Sequence, residues 1–409
     1  MKRVVVTGMG GITALGDSWA EIEPKLRAGQ GATQVMPEWE QYQGLMTRLA
    51  APVTHFKIPE HYPRKRRRSM GRVALMSTRA TEEALTTAGL IGDPEISNGS
   101  MGIAYGSCTG SPEATADFVS MLTEKTTKGI TATSYVEMMT HTCAVNTGLF
   151  FGLKGRVIPT SSACTSGSQG IGYAYEAIRF GRQTMMIGGG AEELCPAIAA
   201  VFDTLFATSQ YNDRPHLSPR PFDKDRDGLV IGEGACTFVL EELEHALARG
   251  AKIYAEIVGF ATNSDGVHIT QPTAATIEVV MRKAIADANM HPDQIGYVSA
   301  HGTATDQGDI AETVATESVF GSRMPISSLK SYYGHTLGAC GSMESWLTIE
   351  MMNNNWFAPT IHLENIDPRC GQLDYITGGG RNLNCEYVMS NNFAFGGINT
   401  SLIFKRWVE

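Results

Sequence analysis

The chain contains 409 residues, of which 43% are hydrophobic and 18% are charged, so it can bury a large core without metals or disulfides. Its net charge of −9 argues against nucleic-acid binding, and the lack of any apolar run of about 18 residues argues against membrane insertion. Eight scattered cysteines without a C-x-x-C pair, and an N-terminus without a signal peptide, predict reduced thiols and a protein of the cytoplasm or an organelle matrix.

Short β-branched runs alternate with longer helical patterns along the whole chain. In the first series, we expect strands at Val4–Val6, Met101–Tyr105, Arg156–Thr160 and Thr184–Ile187, and helices near Trp19–Ala28, Ala114–Thr123 and Thr165–Phe180. In the second series, we expect strands at Lys252–Val258, Tyr297–Ala300 and Ser401–Lys405, and helices near Thr276–Ala288 and Met343–Asn353. This alternation is typical of α/β layers with helices over both faces of a sheet.

The two series of elements divide the chain near residue 255. We therefore expect an N-terminal half, residues 1–255, and a C-terminal half, residues 256–409. Internal similarity is too weak to establish a repeat from the letters alone. No Pro/Ser-rich linker separates the halves, so they are expected to share one continuous core.

The segment with the clearest chemical signal is Pro159–Gly170, which reads PTSSACTSGSQG. A β-rich run ends there in small residues, and a helical pattern follows. Cys164 is thus placed near a helix N-terminus, where free backbone N–H groups and the helix dipole favour a thiolate. The small neighbours leave room for an acyl group at the sulfur. An inert buried cysteine is the alternative, and on the residues alone the two interpretations are about even.

Two histidines lie in glycine-rich loops that follow predicted strands. His301 belongs to the segment SAHGTATDQGD, and His335 to KSYYGHTLGACG. Loops at strand ends carry function more often than packing, although each histidine alone could be capped or simply exposed. A nucleophilic cysteine with two such histidines suits acyl transfer followed by carbanion chemistry. A glycine-rich turn at Ser390–Asn399 could direct backbone N–H groups at a ligand or could be only a tight turn.

Four of these segments, in this order, resemble the β-ketoacyl-acyl-carrier-protein synthase I/II family of thiolase-like condensing enzymes, and the resemblance runs from end to end. The segments are Ser162–Gly167 (SACTSG), His301–Thr305 (HGTAT), Lys330–His335 (KSYYGH) and Phe393–Asn399 (FAFGGIN). The resemblance implies a five-layered αβαβα fold made of two similar halves. It also implies a homodimer, with a heterodimer as the other arrangement.

The resemblance assigns a role to each candidate catalytic residue. Cys164 takes the acyl group from acyl-carrier protein, which delivers it on phosphopantetheine. His301 and His335 promote decarboxylation of the malonyl thioester and stabilise the enolate. Lys330 orders the site with Glu344 as its acidic partner. No metal or other cofactor is implied.

The resemblance also assigns the residues around the reaction centre. The backbone N–H groups of Cys164 and Phe395 match an oxyanion hole, and the Phe395 ring matches a gate over the acyl pocket. The acyl pocket or its entrance is expected to include Phe202, Phe206, Thr303, Thr305 and Phe393. A basic run stands out in this acidic chain and is expected to dock the acidic carrier protein, the alternative being a solvated loop: Arg64, Lys65, Arg66, Arg67 and Arg68.

Some positions depart from the family pattern. Tyr332 and Tyr333 stand where a threonine is usual before the glycine, and Phe206 stands where an arginine is common. Ala394 replaces the glycine before the gating phenylalanine, and Asp306 replaces a proline in the first histidine loop. We expect the added aromatic surface to favour an unsaturated or aryl acyl primer.

Other functions are weighed against this one. A thiolase-type coenzyme A acyltransferase would carry a second active cysteine in its C-terminal glycine motif, and the stretch at 395–398 has none. A non-catalytic chain-length partner subunit would lack the cysteine that is present as Cys164. The run from Asp223 resembles a calcium loop, but its twelfth position is Gly234, so no calcium site is predicted.

Overall fold

The computed structural model describes residues 1–408. Its strands are β1 Val4–Ile12, β2 Gln34–Val35, β3 Leu49–Ala51, β4 Met101–Gly106, β5 Val157–Pro159, β6 Met185–Glu192, β7 Ile231–Gly232, β8 Gly234–Glu242, β9 Ala255–Ser264, β10 Ile295–Ser299, β11 Pro325–Ser327, β12 Trp356–Phe357, β13 Asp374–Tyr375, β14 Arg381–Asn382, β15 Tyr387–Ala394 and β16 Ile398–Arg406. Its helices are α1 Trp19–Arg27, α2 Arg72–Thr87, α3 Pro112–Glu124, α4 Ala132–Met138, α5 Thr142–Phe151, α6 Ser166–Arg179, α7 Pro196–Asp203, α8 Leu243–Ala248, α9 Ala274–Asp287, α10 Asp306–Phe320, α11 Lys330–Tyr333 and α12 Cys340–Asn353.

The main sheet contains the same strand pattern twice. Its order is β13-β11-β10-β15-β16-β9-β1-β8-β6-β4-β5. On one side of the β1–β9 pair, β4 is parallel to β5 and β6, and β8 is antiparallel to β6 and β1. On the other side, β10 is parallel to β11 and β15, and β16 is antiparallel to β15 and β9. The two halves therefore share one topology, and the β1–β9 pair joins them.

Helices cover both outer faces of this sheet system and fill the space between its halves. Helices α2 and α5 pack on the outer face of the first half of the sheet, against β1, β4 and β8. Helix α9 packs on β9 and β16 in the second half, and α10 packs against α9. Helices α6 and α12 contact each other and both halves of the sheet. The result is the predicted five-layered αβαβα thiolase-like arrangement, with α6 and α12 as the middle layer.

The alternation of side chains along β8 shows why the layers form. Phe238 and Leu240 belong to the inner apolar cluster, which Phe404 of β16 also joins. Val239, between them, belongs to the outer cluster with Ile187 of β6. Successive residues of a strand point to opposite faces, so a strand with helices on both faces is apolar at every position.

Most predicted elements form within a few residues of their expected positions, and some elements were missed. The strand predicted at Lys252–Val258 corresponds to β9, which begins later, at Ala255. It also continues through polar residues to Ser264, because this part of β9 pairs with β16. The sequence interpretation did not identify β8, β15, α2, α5 or α10. No helix within residues 1–408 combines the length and apolar character needed to cross a membrane.

Candidate active site

Cys164 and His335 occupy equivalent turns in the two halves of the fold. Cys164 lies between β5 and α6, and His335 lies between β11 and α12. The residue before each has a left-handed backbone, with φ of +51° at Ala163 and +70° at Gly334. The Sγ atom of Cys164 lies 3.0 Å from Nε2 of His335, and both side chains are buried. The nucleophile candidate and one histidine are therefore in direct contact.

His301 completes the group from the end of β10. Its ring centroid lies 5.1 Å from that of His335, with the two rings nearly perpendicular. Its Nδ1 atom lies 3.2 Å from Nζ of Lys330 and 3.3 Å from Nδ2 of Asn392. Lys330 also donates to Glu344, and Asn392 donates to the other oxygen of Glu344 at 2.7 Å. The structure thus brings together all five predicted catalytic residues.

The hydrogen-bond partners determine where each neutral imidazole carries its proton. Nδ1 of His335 accepts the backbone N–H of Leu337 at 3.3 Å, and Nδ1 of His301 faces the Lys330 ammonium. Both rings therefore carry the proton on Nε2, which leaves two N–H donors beside the Cys164 sulfur. Such donors suit an oxygen that gains negative charge.

Two overlapping groups of side chains have the composition of a metal site. They are Cys164, His301 and His335, and His301, Cys340 and Glu344. A metal would need a lone pair on Nε2 of each histidine in the first group, where the hydrogen-bond partners of Nδ1 assign the protons. In the second group the Lys330 ammonium already contacts both His301 and Glu344. Neither donor set fits a metal ion.

Burial sets the protonation states of the site. Burial lowers the pKa of His301 and His335 well below the usual range, and the Lys330 charge adds to the effect. Both imidazoles are therefore neutral at physiological pH. Burial also lowers the pKa of Lys330, but the Glu344 charge outweighs it, so the pKa is raised and the ammonium is retained.

The thiolate predicted for Cys164 is not the resting form. Burial raises the pKa of Cys164 to about 11, although the Lys330 charge and the backbone N–H groups of Phe395 and Cys164 itself lower it. Neither N–H group belongs to the start of α6 as the sequence predicted, because Cys164 precedes α6 and Phe395 follows β15. Their effect is smaller than the cost of placing a charge in a buried site, so a thiol is the ground state.

Two buried residues that sequence reasoning missed hold the histidine loops. Glu312 of α10 accepts the backbone N–H groups of His301 and Gly302, each at 2.7 Å, and burial raises its pKa to about 8. Asn392 of β15 bridges His301 and Glu344. A run of polar residues between apolar ones, Ser390–Asn392 between Met389 and Phe393, is the signal that could have found it.

A cavity of about 490 Å³ leads from the surface to Cys164. All predicted pocket and entrance residues line it, including Thr303, Thr305 and Phe393. Phe202 and Phe395 pack against each other with ring centroids 5.0 Å apart, next to the sulfur. Phe206 is at the outer end, where 79% of the residue is exposed.

Comparison with known proteins agrees with this geometry. Family models described as "Beta-ketoacyl synthase, N-terminal domain" and "Beta-ketoacyl synthase, C-terminal domain" match residues 1–246 and 254–364. The 3-oxoacyl-[acyl-carrier-protein] synthase 1 of Haemophilus influenzae is 38% identical over 412 residues, covering 100% of both chains. The chain belongs to the beta-ketoacyl synthase family. It is therefore a condensing enzyme of the acyltransferase class.

Solved structures of beta-ketoacyl synthases share the fold. A beta-ketoacyl synthase from Burkholderia phymatum matches with a TM-score of 0.99 and 61% identity, covering 100% of both chains. A ketosynthase solved in complex with its type II polyketide acyl-carrier protein matches with a TM-score of 0.87 and 28% identity, covering 99% of this chain and 100% of that one.

The departures from the beta-ketoacyl synthase pattern lie in different environments. Tyr332 and Tyr333 are fully buried in the inner core, where the Tyr332 hydroxyl donates to the Leu26 carbonyl at 3.0 Å. They do not line the cavity, so the idea that they add aromatic surface to the acyl pocket is wrong. Ala394 ends β15, and the left-handed φ angles of the gate turn belong to Gly396 and Gly397.

The predicted basic loop is largely solvent-exposed. Arg64, Lys65 and Arg68 are exposed, whereas Arg67 is half-buried. Arg66 is also exposed but is anchored, because its guanidinium donates to the Phe150 carbonyl at 2.8 Å and faces the Phe150 ring. The loop therefore presents several cations to solvent directly before α2.

The calcium-like run uses its carboxylates within the protein. Asp223 accepts the backbone N–H groups of Asp225, Glu364 and Asn365. Glu233 forms a salt bridge with Arg72 at 2.8 Å. These bonds fix the turns beneath the cavity, and they account for the acidic pattern without an ion.

Proposed function

We propose that the protein is an elongating 3-oxoacyl-[acyl-carrier-protein] synthase, which extends a Cys164-bound acyl group by decarboxylative Claisen condensation with a malonyl thioester. The contact of 3.0 Å between the Cys164 sulfur and Nε2 of His335, with His301 beside it, carries this proposal. A cysteine alone would support acyl transfer, and the two N–H donors add a site for an enolate.

In the first step, the Cys164 thiolate attacks the thioester carbonyl of the acyl-carrier protein. The backbone N–H groups of Cys164 and Phe395, which lie close enough to the sulfur to lower its pKa, stabilise the oxyanion. Collapse of the intermediate forms the Cys164 thioester and breaks the bond to the carrier sulfur, which leaves as a thiol after taking up the proton that Cys164 lost.

In the second step, the malonyl thioester oxygen takes the place between the two histidines. The Nε2–H groups of His301 and His335 donate to it while the malonyl carboxylate leaves as CO2. The resulting enolate attacks the Cys164 thioester carbonyl, and the product is a β-ketoacyl thioester on the carrier. The released Cys164 thiolate then takes up a proton, so the site returns to its resting form.

The remaining assignments are part of the same proposal. Lys330 and Glu344 position His301 and fix its tautomer, and substrates arrive on the phosphopantetheine of acyl-carrier protein without another cofactor. We assign the halves to residues 1–255 and 256–409, because this boundary falls at the start of β9, where the second set of strands begins. A homodimer in the cytoplasm is the expected state, and the exposed edge of β5 at Val157 is suited to subunit contact.

Covalent loading tests the proposal. The protein is incubated with acyl-carrier-protein thioesters carrying saturated, polyenoyl and aryl-enoyl chains, and its intact mass is measured before and after malonyl-carrier protein is added. Loading that is absent in Cys164→Ala, followed by a β-keto product, is the expected result. Loading from coenzyme A thioesters alone would instead indicate a thiolase-type acyltransferase. Equal turnover of saturated and polyene chains would contradict the expected preference for unsaturated or aryl primers.

A further inference from the structure

Three exposed apolar side chains line the cavity near its mouth, and a fourth, Val267, is adjacent in sequence to the lining residue His268. Leu205 and Phe206 follow α7 on one side, and Val267 and Ile269 lie in the loop after β9 on the other; we call these four residues the apolar rim. Their exposed fractions are 44%, 79%, 80% and 70%, respectively. Large apolar side chains clustered in solvent mark an interaction site, whereas single ones need no explanation.

The backbone at Phe206 supports a role for its side chain. Phe206 has φ of +54° and donates its N–H to the Asp203 carbonyl at 2.9 Å, so it closes the turn after α7 in the left-handed conformation that favours glycine. A bulky residue in this conformation is strained, and such strain concentrates at functional sites. The chain keeps an aromatic ring in solvent where glycine would be more stable.

The other side of the rim is displayed by an anchored loop. The Ile269 carbonyl accepts the backbone N–H of Gly396 at 2.8 Å. Asp265, at the start of the loop, donates its N–H to the Gly397 carbonyl at 2.7 Å and accepts Nδ2 of Asn399 at 2.7 Å. Val267 and Ile269 are therefore held at the mouth by the glycine turn rather than left on a free loop.

We propose that the apolar rim docks the acyl-carrier protein through apolar side chains next to its phosphopantetheine. The inference rests on the proposed function, because it takes the carrier protein as the occupant of this mouth. Phe206 stands at the position where an arginine is common in the family, so the contact with the carrier protein is apolar rather than ionic here.

The basic loop supplies the complementary charge for an acidic carrier. The segment that follows this loop contacts the segment that precedes α7, since the Val73 N–H donates to Glu193 at 2.7 Å and the Arg72 side chain pairs with Glu233. The Leu194 N–H donates to Glu233 at 3.0 Å, which places the start of α7 in the same group of bonds. These bonds connect the segment after the basic loop to the segment before α7, and the rim residues Leu205 and Phe206 follow the other end of that helix. The net charge of −9 makes an anionic membrane the weaker occupant.

Paired substrates test the docking role. We compare Cys164 loading from an acyl-carrier-protein thioester with loading from the matching acyl-N-acetylcysteamine thioester, which carries only the end of the pantetheine arm. The readout is the ratio of the two kcat/KM values in Val267→Glu, Phe206→Glu and a control, Leu247→Glu, an exposed leucine on α8. We expect the ratio to fall about tenfold in the rim variants, as for a contact at an interface centre. It should stay within about twofold in the control, as for an isolated surface position.

Three outcomes would overturn the docking role. A ratio unchanged in both rim variants, with normal loading of the wild type, removes the rim proposal and leaves the proposed function intact. Failure of the wild type to load from any carrier thioester, with normal loading from the short thioester, removes carrier delivery and the rim proposal together. Binding of the wild type to phosphatidylglycerol-containing vesicles that is lost in Val267→Glu, with an unchanged ratio, assigns the rim to a membrane surface instead.

Discussion

The turn that carries Cys164 and the turn that carries His335 have the same place in the two halves but opposite chemistry. Each follows a three-residue parallel strand, passes through a left-handed residue, and leads into a middle-layer helix. One turn presents a sulfur and the other an N–H donor, and the two meet at 3.0 Å. A duplicated backbone thus brings two different side chains face to face, as a single copy of the fold could not.

Glycines at the start of α6 and α12 make this meeting close enough. A Cβ atom on Gly167 would lie 2.9 Å from the Gly338 carbonyl, and one on Gly341 would lie 2.8 Å from the Ser168 backbone. The backbones of the two helices are therefore in close contact where the helices begin. This contact keeps Cys164 and His335, in the turns before the helices, close to each other. The distance between nucleophile and donor is a consequence of helix packing in the middle layer.

The largest expected effect comes from removing the reactive side chain of either turn, because each turn serves a different step. Cys164→Ala should reduce acyl loading and condensation by about a thousandfold or more, as for loss of a nucleophile, while malonyl decarboxylation continues at the intact histidines. His335→Ala should reverse this pattern, because loading retains its nucleophile and oxyanion donors. Mass spectrometry measures loading, and CO2 release from malonyl-carrier protein measures decarboxylation. Loss of both loading and decarboxylation in both variants would show that the two turns do not have separate functions.

The second turn also depends on a buried ion pair. Lys330→Met leaves the Glu344 carboxylate without its counter-charge in the core, so we expect a loss of about 3–5 kcal/mol in the free energy of unfolding. The double variant Lys330→Met with Glu344→Gln should recover part of this loss, because no isolated charge remains. Urea unfolding measures both variants. A double variant no more stable than Lys330→Met would contradict the ion-pair argument.

The two left-handed residues give a matched pair of substitutions. Gly334→Ala places a Cβ 2.6 Å from the Val230 carbonyl at φ of +70°, and we expect a loss of about 2 kcal/mol in unfolding free energy. Ala163→Gly removes strain but adds freedom to the unfolded chain, so its net change should stay within about 1 kcal/mol. Thermal unfolding compares them. Equal changes in unfolding free energy would contradict the expectation that the backbone is more tightly constrained at Gly334 than at Ala163.

The mildest perturbation is a change of pH, which leaves every side chain in place. The pKa of Cys164 is raised to about 11, so the thiolate fraction, and with it the loading rate from a short thioester, should rise with pH, by up to about tenfold per unit between about pH 7 and 9. The pKa values of both histidines are lowered, so no inflection from imidazole ionisation is expected near pH 6.5. A rate independent of pH over this range would indicate that the thiol is deprotonated before substrate binds.

The sequence predicted the reaction centre better than it predicted the surrounding structure. The segments around Cys164, His301 and His335 were recognisable because small residues and glycines crowd each strand–turn–helix junction. Glu312 was missed because its role depends on the packing of α10 behind the loop of His301, which no local pattern shows. Tyr332 was misplaced for the same reason, because its burial depends on contact with the distant α1. The missed strand β8 is apolar on both faces, so it lacks the alternation that identifies a strand.

The position of β1 at the centre of the sheet affects how the chain folds during synthesis. β1 leaves the ribosome long before its partner strand β8, which ends only at Glu242. At about 5–20 residues per second, β1 remains without its β8 partner for roughly 10 to 50 seconds. An apolar strand unpaired for so long is a target for chaperones, and any pause before residue 242 should increase aggregation of the nascent protein.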